Sequence, residues 1–108
     1  MTNTRTKKKA KRIRSVTVLG HRIRIVYTTW PDGQWGECDL DNRTIKLSDA
    51  CLDDPAQQWL TLVHEVTHMI LGITGLSFME HNNEEAIVRC IEGCIVPWLE
   101  ENSDKYKP

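Results

Sequence analysis

Residues 62–72 read LVHEVTHMILG, a stretch in which two histidines and a glutamate interrupt apolar side chains at helical spacing. The apolar residues belong to a longer stripe at three- and four-residue intervals, which predicts one face of an amphipathic helix. The stripe consists of Trp59, Leu62, Val63, Val66, Met69, Ile70 and Ile73. The run Asp53-Asp54-Pro55 predicts the start of the helix, and Gly72 and Gly75 predict that it ends nearby.

His64 and His68 are four residues apart, so a helix places both imidazoles on one face, where they can share one ion. That face lies roughly opposite the apolar stripe, which indicates that the histidines point away from the core. Glu65 adjoins the first histidine, so its carboxylate can approach a water activated by the metal without binding the metal itself. His-Glu-x-x-His on a helix is the pattern of zinc peptidases. We therefore predict a Zn²⁺ site with His64 and His68 as ligands and Glu65 as general base; the alternative is an ordinary polar helix surface.

A catalytic zinc takes a third protein ligand, for which the candidates are Glu84, Glu85 and His81. A second amphipathic helix is predicted from about Glu84. Its apolar stripe consists of Ile87, Val88, Ile91, Cys94, Ile95 and Trp98. Glu84 falls near the centre of this stripe, where a carboxylate is costly unless a metal pairs with it. Glu85 falls at the edge of the stripe beside Arg89, as expected of a solvated residue or an ion-pair partner. The pattern thus favours Glu84 over Glu85, and both over His81.

Upstream of the helices, the sequence predicts a small sheet. Residues 15–29 alternate apolar and polar side chains, which indicates two strands joined by a turn or bulge at Leu19-Gly20-His21. Pro31-Asp32-Gly33 predicts a turn, and Thr44 to Leu47 a further short strand. The predicted fold class is α+β, with a small antiparallel sheet of about three strands packed on the motif helix and on a second, C-terminal helix.

The charge distribution divides the chain into three predicted parts. The first fourteen residues carry seven basic side chains and no acidic one, whereas the remainder carries seven basic and fifteen acidic ones. Residues 1–14 are therefore predicted to be a flexible basic arm, which can contact nucleic acid through phosphates or serve only as a solubilising terminus. Residues 15–101 are predicted to be a single domain, and residues 102–108 a polar tail.

The absence of two sequence features suggests the compartment. No apolar run approaches the eighteen or so residues of a membrane span, and no signal-peptide core follows the basic start. We therefore expect a cytoplasmic protein with no membrane contact. Its four cysteines are then expected to remain reduced thiols, and their spacing matches no common structural zinc site.

The segments TLVHEVTHMILGITGL and NEEAIVRCIEGCIVPWL together resemble the small zinc metallopeptidases of phages and prophages. These peptidases are related to the ImmA/IrrE-like group and, more distantly, to the thermolysin-type fold. The resemblance covers about residues 36–99. It implies His64 and His68 as zinc ligands, Glu65 as general base, a glutamate from the second helix as third ligand, and the cytoplasm of a host cell as compartment. The family's glutamate directly precedes an alanine, which fits Glu85-Ala86, so the third ligand stays open between Glu84 and Glu85.

The resemblance also implies that a protein or peptide substrate lies extended along an edge strand, here Thr44 to Leu47. A second resemblance is to SprT-like, DNA-associated proteases, in which a histidine is the third ligand and His81 would take that place; the residues after His81 do not follow their pattern. The alternative outside the enzymes is a catalytically silent zinc-binding module, such as a phage regulator. An intact Glu65 favours the peptidase, because a purely structural zinc site needs no base beside its ligands.

Overall fold

The computed structural model describes residues 9–76 and 84–108, which form a four-stranded sheet packed against helices. The predicted α+β class is therefore confirmed. The strands are β1 (Ser15–Val18), β2 (His21–Thr28), β3 (Gly36–Asp39) and β4 (Thr44–Ser48). A 3-10 helix (Asp49–Asp53) leads into α1 (Pro55–Ile73), and later come α2 (Glu84–Cys90), a π-helical turn (Ile91–Ile95) and α3 (Val96–Tyr106). No helix in these two ranges is long and apolar enough to cross a membrane.

The sheet differs from the predicted three antiparallel strands in having a fourth strand and one parallel pair. Its order is β1-β2-β4-β3, with β2 and β4 parallel and the other two pairs antiparallel. The turn at Leu19-Gly20 joins β1 and β2 as expected, with positive φ at both residues. The unpredicted strand is β3, whose sequence GECD is short and lacks an apolar alternation. Its place in the sheet comes from pairing with β4, which no local pattern encodes.

β4 lies inside the sheet, between β2 and β3. Ile45 and Leu47 are fully buried on it, as expected of a strand with neighbours on both sides. The prediction that Thr44 to Leu47 forms the edge strand is therefore wrong. The edge nearest α1 is β3, so any peptide that extends the sheet on this side would pair with Gly36–Asp39.

α1 begins and ends where its sequence predicts. The Asp54 side chain accepts a hydrogen bond from the Gln57 backbone N–H at 3.1 Å, and Pro55 occupies the first turn. The helix ends at Ile73, and Gly75 follows with a φ of +81°. The buried side of the helix packs on the sheet through Leu62, Val66, Met69 and Ile70. One face of α1 is thus buried in the core, and the opposite face, which carries His64 and His68, is exposed to solvent.

The second helical segment contains a π-helical turn that the sequence pattern did not predict. Pro97 has no N–H to donate to the carbonyl four residues earlier, and its ring would crowd that carbonyl. The turn widens just before it, where the Val96 N–H bonds to the Ile91 carbonyl. The extra residue rotates the preceding α2 by about 100° relative to an unbroken helix. Cys90 is consequently buried, whereas Val88 and Ile91 are 40% and 41% exposed.

Both chain ends extend the fold further than predicted. Ile13 is buried, its N–H bonds to the Tyr27 hydroxyl at 3.0 Å, and the Ala10 N–H bonds to the Leu52 carbonyl at 2.8 Å. Residues 10–14 are therefore part of the body, in contrast to the flexible arm predicted over 1–14. At the other end, α3 continues to Tyr106, so most of the predicted polar tail is helical. The contacts of Ala10 and Ile13 are made to distant parts of the chain, which local sequence patterns do not encode.

Candidate metal centre

His64 and His68 present their Nε2 atoms to each other on the exposed face of α1. The two nitrogens are 3.2 Å apart, and the ring planes are inclined at 75°. Two nitrogens bound to one tetrahedral zinc at about 2.0–2.1 Å lie about 3.3 Å apart, so the pair already has the spacing of two ligands. A hydrogen bond between two neutral imidazoles has a similar length. A measurement of metal binding therefore distinguishes a pair of zinc ligands from a hydrogen-bonded pair of histidines.

Glu65 completes a group of three potential metal-binding side chains. Its carboxylate lies 4.0 Å from His64 Nε2, and the ligand atoms of Glu65, His64 and His68 all lie within 4.8 Å of one another. Unlike the histidines, Glu65 is buried, with 6% of its surface exposed. One residue along a helix is a rotation of about 100°, which turns Glu65 from the histidine face toward β3. The cluster can bind a metal ion, with the two imidazoles open to solvent and the carboxylate against the sheet.

The surroundings of Glu65 act on its pKa in opposite directions. Burial raises the pKa of the carboxyl above its ordinary value, and the nearby Glu37 carboxylate adds to that effect. His64 and His68 act to lower the pKa. A cation held between the imidazoles would lower it further, which favours the ionised form that can accept a proton.

β3 approaches Glu65 so closely that a side chain at position 36 would displace its neighbours on α1. A Cβ added to Gly36 would lie 2.8 Å from Glu65 Oε2 and 2.7 Å from Thr61 Cγ2. The missing side chain lets the edge strand run directly beside the carboxylate. Nothing in the local sequence singled out Gly36, because its role depends on a strand pairing that was not predicted.

Two cavities flank the cluster and meet at Glu65. The first, of about 400 Å³, lies on the His64 side and is lined by Trp35, Gly36, Gln57, Leu60, Thr61, His64 and Glu65. The second, of about 330 Å³, lies on the His68 side and is lined by Cys38, Leu40, Glu65, His68 and Gly72. Trp35 and Leu60 are exposed, so the first cavity offers apolar surface to a ligand. Together the cavities form a groove along β3, none of whose residues was predicted from the sequence apart from Glu65 and the histidines.

Cys38 faces the second cavity as a neutral thiol. Burial, together with the negative charges of Glu65 and Asp39, raises its pKa to about 11. Cys38, Cys51, Cys90 and Cys94 are all free thiols. Burial likewise raises the pKa of Cys51 and Cys90, so these three thiols are poor nucleophiles at neutral pH.

The candidates for a third ligand lie elsewhere. Glu84 is exposed at the start of α2 rather than at the centre of a buried stripe, because the π turn rotates this helix. Glu85 is exposed and pairs with Arg89 at 3.2 Å, the role expected from its spacing. Neither carboxylate belongs to the metal-binding group found among the described residues. His81 lies outside the residues that the structure describes.

Comparison of the chain with models of known protein families, with curated proteins and with solved structures gives no significant match.

Proposed function

We propose that this protein is a zinc-dependent peptidase with its active centre at His64, Glu65 and His68. The observation that carries the proposal is the combination of two exposed imidazoles, whose Nε2 atoms are 3.2 Å apart, with a buried carboxylate beside them. A pair of histidines alone would suit any metal site. A carboxylate turned away from the ligand face and lining a groove suits a proton acceptor.

Zinc would supply a Lewis acid that makes a water molecule acidic and polarises a peptide carbonyl. His64 and His68 would hold it through Nε2. Glu65 accepts the proton of the attacking water as its oxygen adds to the carbonyl carbon. When the C–N bond breaks, Glu65 delivers that proton to the departing amine, so the products are a carboxylate and an amine. A peptide carbonyl bound in the groove would lie within reach of Glu65, since Glu65 lines both cavities.

The substrate in this proposal is an extended peptide that pairs with β3. Within the described residues β3 pairs with no strand other than β4, and a peptide pairing with its other edge would displace the Gln34 side chain, whose Nε2 donates to the Gly36 carbonyl at 3.0 Å. Side chains on either side of the scissile bond would then enter the two cavities. The exposed indole of Trp35 and the side chain of Leu60 favour an apolar residue in the cavity beside His64.

The third protein ligand remains a prediction, with Glu84 as first candidate and Glu85 and His81 as alternatives. Glu85 is engaged with Arg89, whereas Glu84 forms no ion pair with any described residue. For Glu84 to bind the metal, the first turn of α2 would have to approach the histidine pair. A metal ion would favour that approach by compensating the desolvation of the carboxylate.

Metal analysis and a cleavage assay test the proposal together. Wild-type protein purified without added zinc should contain close to one zinc per chain and cleave a fluorescent casein. Glu65→Gln should retain the zinc and lose cleavage, and among Glu84→Ala and Glu85→Ala the variant that loses zinc identifies the third ligand. Protein that neither contains nor takes up zinc would overturn the proposal.

The alternative, a catalytically silent zinc module, is favoured by one observation: the group of ligands among the described residues contains no third protein ligand apart from Glu65. If Glu65 is itself a ligand, Glu65→Gln should lower zinc content as strongly as His68→Asn. Zinc loss in Glu65→Gln with no cleavage by wild type on any unfolded substrate would establish the silent module and exclude the peptidase.

A further inference from the structure

A third cavity lies away from the metal centre, where the N-terminal segment meets the end of α3. Its volume is about 260 Å³. Its lining combines the N-terminal segment, the first turns of α1 and the end of α3: Lys9, Ala10, Lys11, Pro55, Gln58, Lys105, Tyr106, Lys107 and Pro108. We call this region the lysine cleft. It contains four lysines and neither an aspartate nor a glutamate side chain.

The N-terminal wall of the lysine cleft is held by hydrogen bonds that run through Gln58 and Tyr27. Gln58 is buried, donates through Nε2 to the Lys11 carbonyl at 2.9 Å, and accepts at Oε1 from the Tyr27 hydroxyl at 2.8 Å. Tyr27 in turn accepts from the Ile13 N–H. Because the backbone of this segment is held in place, Lys9 and Lys11 project from a defined position rather than from a mobile arm.

The opposite wall is supplied by the end of α3. The Lys107 N–H bonds to the Ser103 carbonyl at 2.9 Å, which closes the helix and brings Lys105 and Lys107 to the cleft. Lysines at this position also offset the helix dipole, but that end is equivalent to only about half a negative charge. Most of the positive charge in the cleft is thus left for another partner.

No described carboxylate neutralises these lysines. The ion pairs within residues 9–76 and 84–108 are Lys46–Glu37, His64–Glu65 and Arg89–Glu85. Lys9, Lys11, Lys105 and Lys107 take part in none of them, although their side chains converge on one cavity. Four like charges without an ion-pair partner repel one another, so bringing them together does not stabilise the fold.

We propose that the lysine cleft binds the phosphate backbone of a nucleic acid, separately from the metal centre. The four lysines that line the cavity offer a cationic surface of the kind that contacts the phosphates of a nucleic-acid backbone. Tyr106 lines the same cavity and offers an aromatic surface on which an unpaired base can stack. The observations therefore favour a single strand over a duplex.

The acidic remainder of the chain limits where such a partner can bind. Residues 15–108 carry fifteen acidic and seven basic side chains, so most of the surface repels a polyanion. Gln58 at the cleft and His64 at the metal centre both lie on α1, separated by about 9 Å along the helix axis. The lysine cleft and the metal centre therefore share α1 but are lined by different residues.

The test is fluorescence anisotropy with a labelled 20-nucleotide single strand at 50 mM salt. Wild type should bind, with an affinity that falls steeply as salt rises; four phosphate contacts give a slope of log K against log salt of about −2.8. Lys105→Gln with Lys107→Gln should weaken binding roughly tenfold or more and reduce the slope by about 1.4. Both lysines are exposed, so far-UV circular dichroism should be unchanged.

The matched control removes two charges elsewhere. Arg22→Gln with Arg24→Gln changes the net charge equally at exposed positions of β2 that do not line the cleft, and should retain wild-type affinity within about twofold. Equal weakening by both pairs, or no binding at 50 mM salt, would overturn the proposal. If polyglutamate of the same charge competes as well as unlabelled DNA, the partner is an acidic protein segment and the nucleic-acid proposal is wrong.

Discussion

Gly36 and Glu65 lie so close that a methyl group on the Cα of Gly36 would come within 2.8 Å of the carboxylate oxygen Oε2. The glycine belongs to the edge strand and the glutamate to the helix that carries the histidine pair. Their contact limits how the carboxylate of Glu65, the proposed general base, can lie within the groove. The edge strand is thus a part of the site even though it contributes no reactive side chain there.

Gly36→Ala should therefore move Glu65 without altering the histidines. The added Cβ meets Thr61 Cγ2 as well as the carboxylate, and overpacking of this kind costs about 1–3 kcal/mol of folding free energy. We expect lower stability in urea and a large loss of cleavage at unchanged zinc content. Thr61→Ser in the same chain removes one of the two clashes, so stability should recover partly while cleavage stays low.

Gly93→Ala is the matched control for this substitution. Gly93 lies in the π-helical turn, and a Cβ there would meet nothing within 4 Å. Stability should stay equal to wild type or rise by up to about 1 kcal/mol, because alanine restricts the unfolded chain more than glycine does. If Gly36→Ala is as well tolerated as Gly93→Ala, β3 does not constrain Glu65.

The parts of the site that lie within one helix were predictable from sequence, because the spacing of His64 and His68 determines which side chains converge. The cap at Asp54 and the buried stripe of α1 follow from the same local periodicity. The wall of the groove was not predictable, since Gly36 reaches Glu65 only through the pairing of β3 with β4. Such pairing is a property of the whole sheet and leaves no mark on a four-residue strand.

The second helix shows how one local irregularity changes a functional prediction. An unbroken 3.6-residue period predicts Glu84 at the centre of a buried face. Pro97 is associated with a π turn that shifts the face by one residue. Cys90 is therefore buried in place of Ile91, and Glu84 is exposed. Pro97 is visible in the sequence, but a proline near the start of a helix does not by itself predict a π turn before it.

Zinc should stabilise the folded protein through the histidine pair. A ligand present at one hundred times its dissociation constant adds about 2.7 kcal/mol, which raises the Tm of a domain of this size by roughly 10–20 °C. Differential scanning fluorimetry after chelation and readdition of zinc measures the shift. His68→Asn should abolish it. His21→Asn, at the exposed start of β2, should leave it unchanged; a loss there too would indicate nonspecific metal binding.

Tyr27 should make stability fall at alkaline pH. Burial raises the pKa of its hydroxyl above 10.0, so the folded state holds this proton more tightly than the unfolded chain does. The resulting stability is complete below pH 10 and is lost as pH rises through the folded-state pKa. Tyr27→Phe should be destabilised by about 1–3 kcal/mol at pH 7, because Gln58 and the Ile13 N–H lose a partner. The difference from wild type in urea midpoint should narrow as the pH rises above 10; a constant difference would contradict the role of the buried hydroxyl.

Trp98 should contribute strongly to stability, because it joins α3 to β1 and α1. Its indole N–H donates to the Thr17 carbonyl at 2.8 Å, and its ring stacks on Trp59 with centroids 6.2 Å apart. Trp98→Phe keeps an aromatic ring but leaves the carbonyl without this donor, which should cost about 1–3 kcal/mol in urea unfolding. Trp98→Ala removes the ring as well and should cost about 3–5 kcal/mol. Trp35→Phe, at an exposed position beside the first cavity, should leave stability within about 0.5 kcal/mol of wild type. Equal effects of Trp98→Phe and Trp35→Phe would show that the hydrogen bond to β1 does not hold α3 in place.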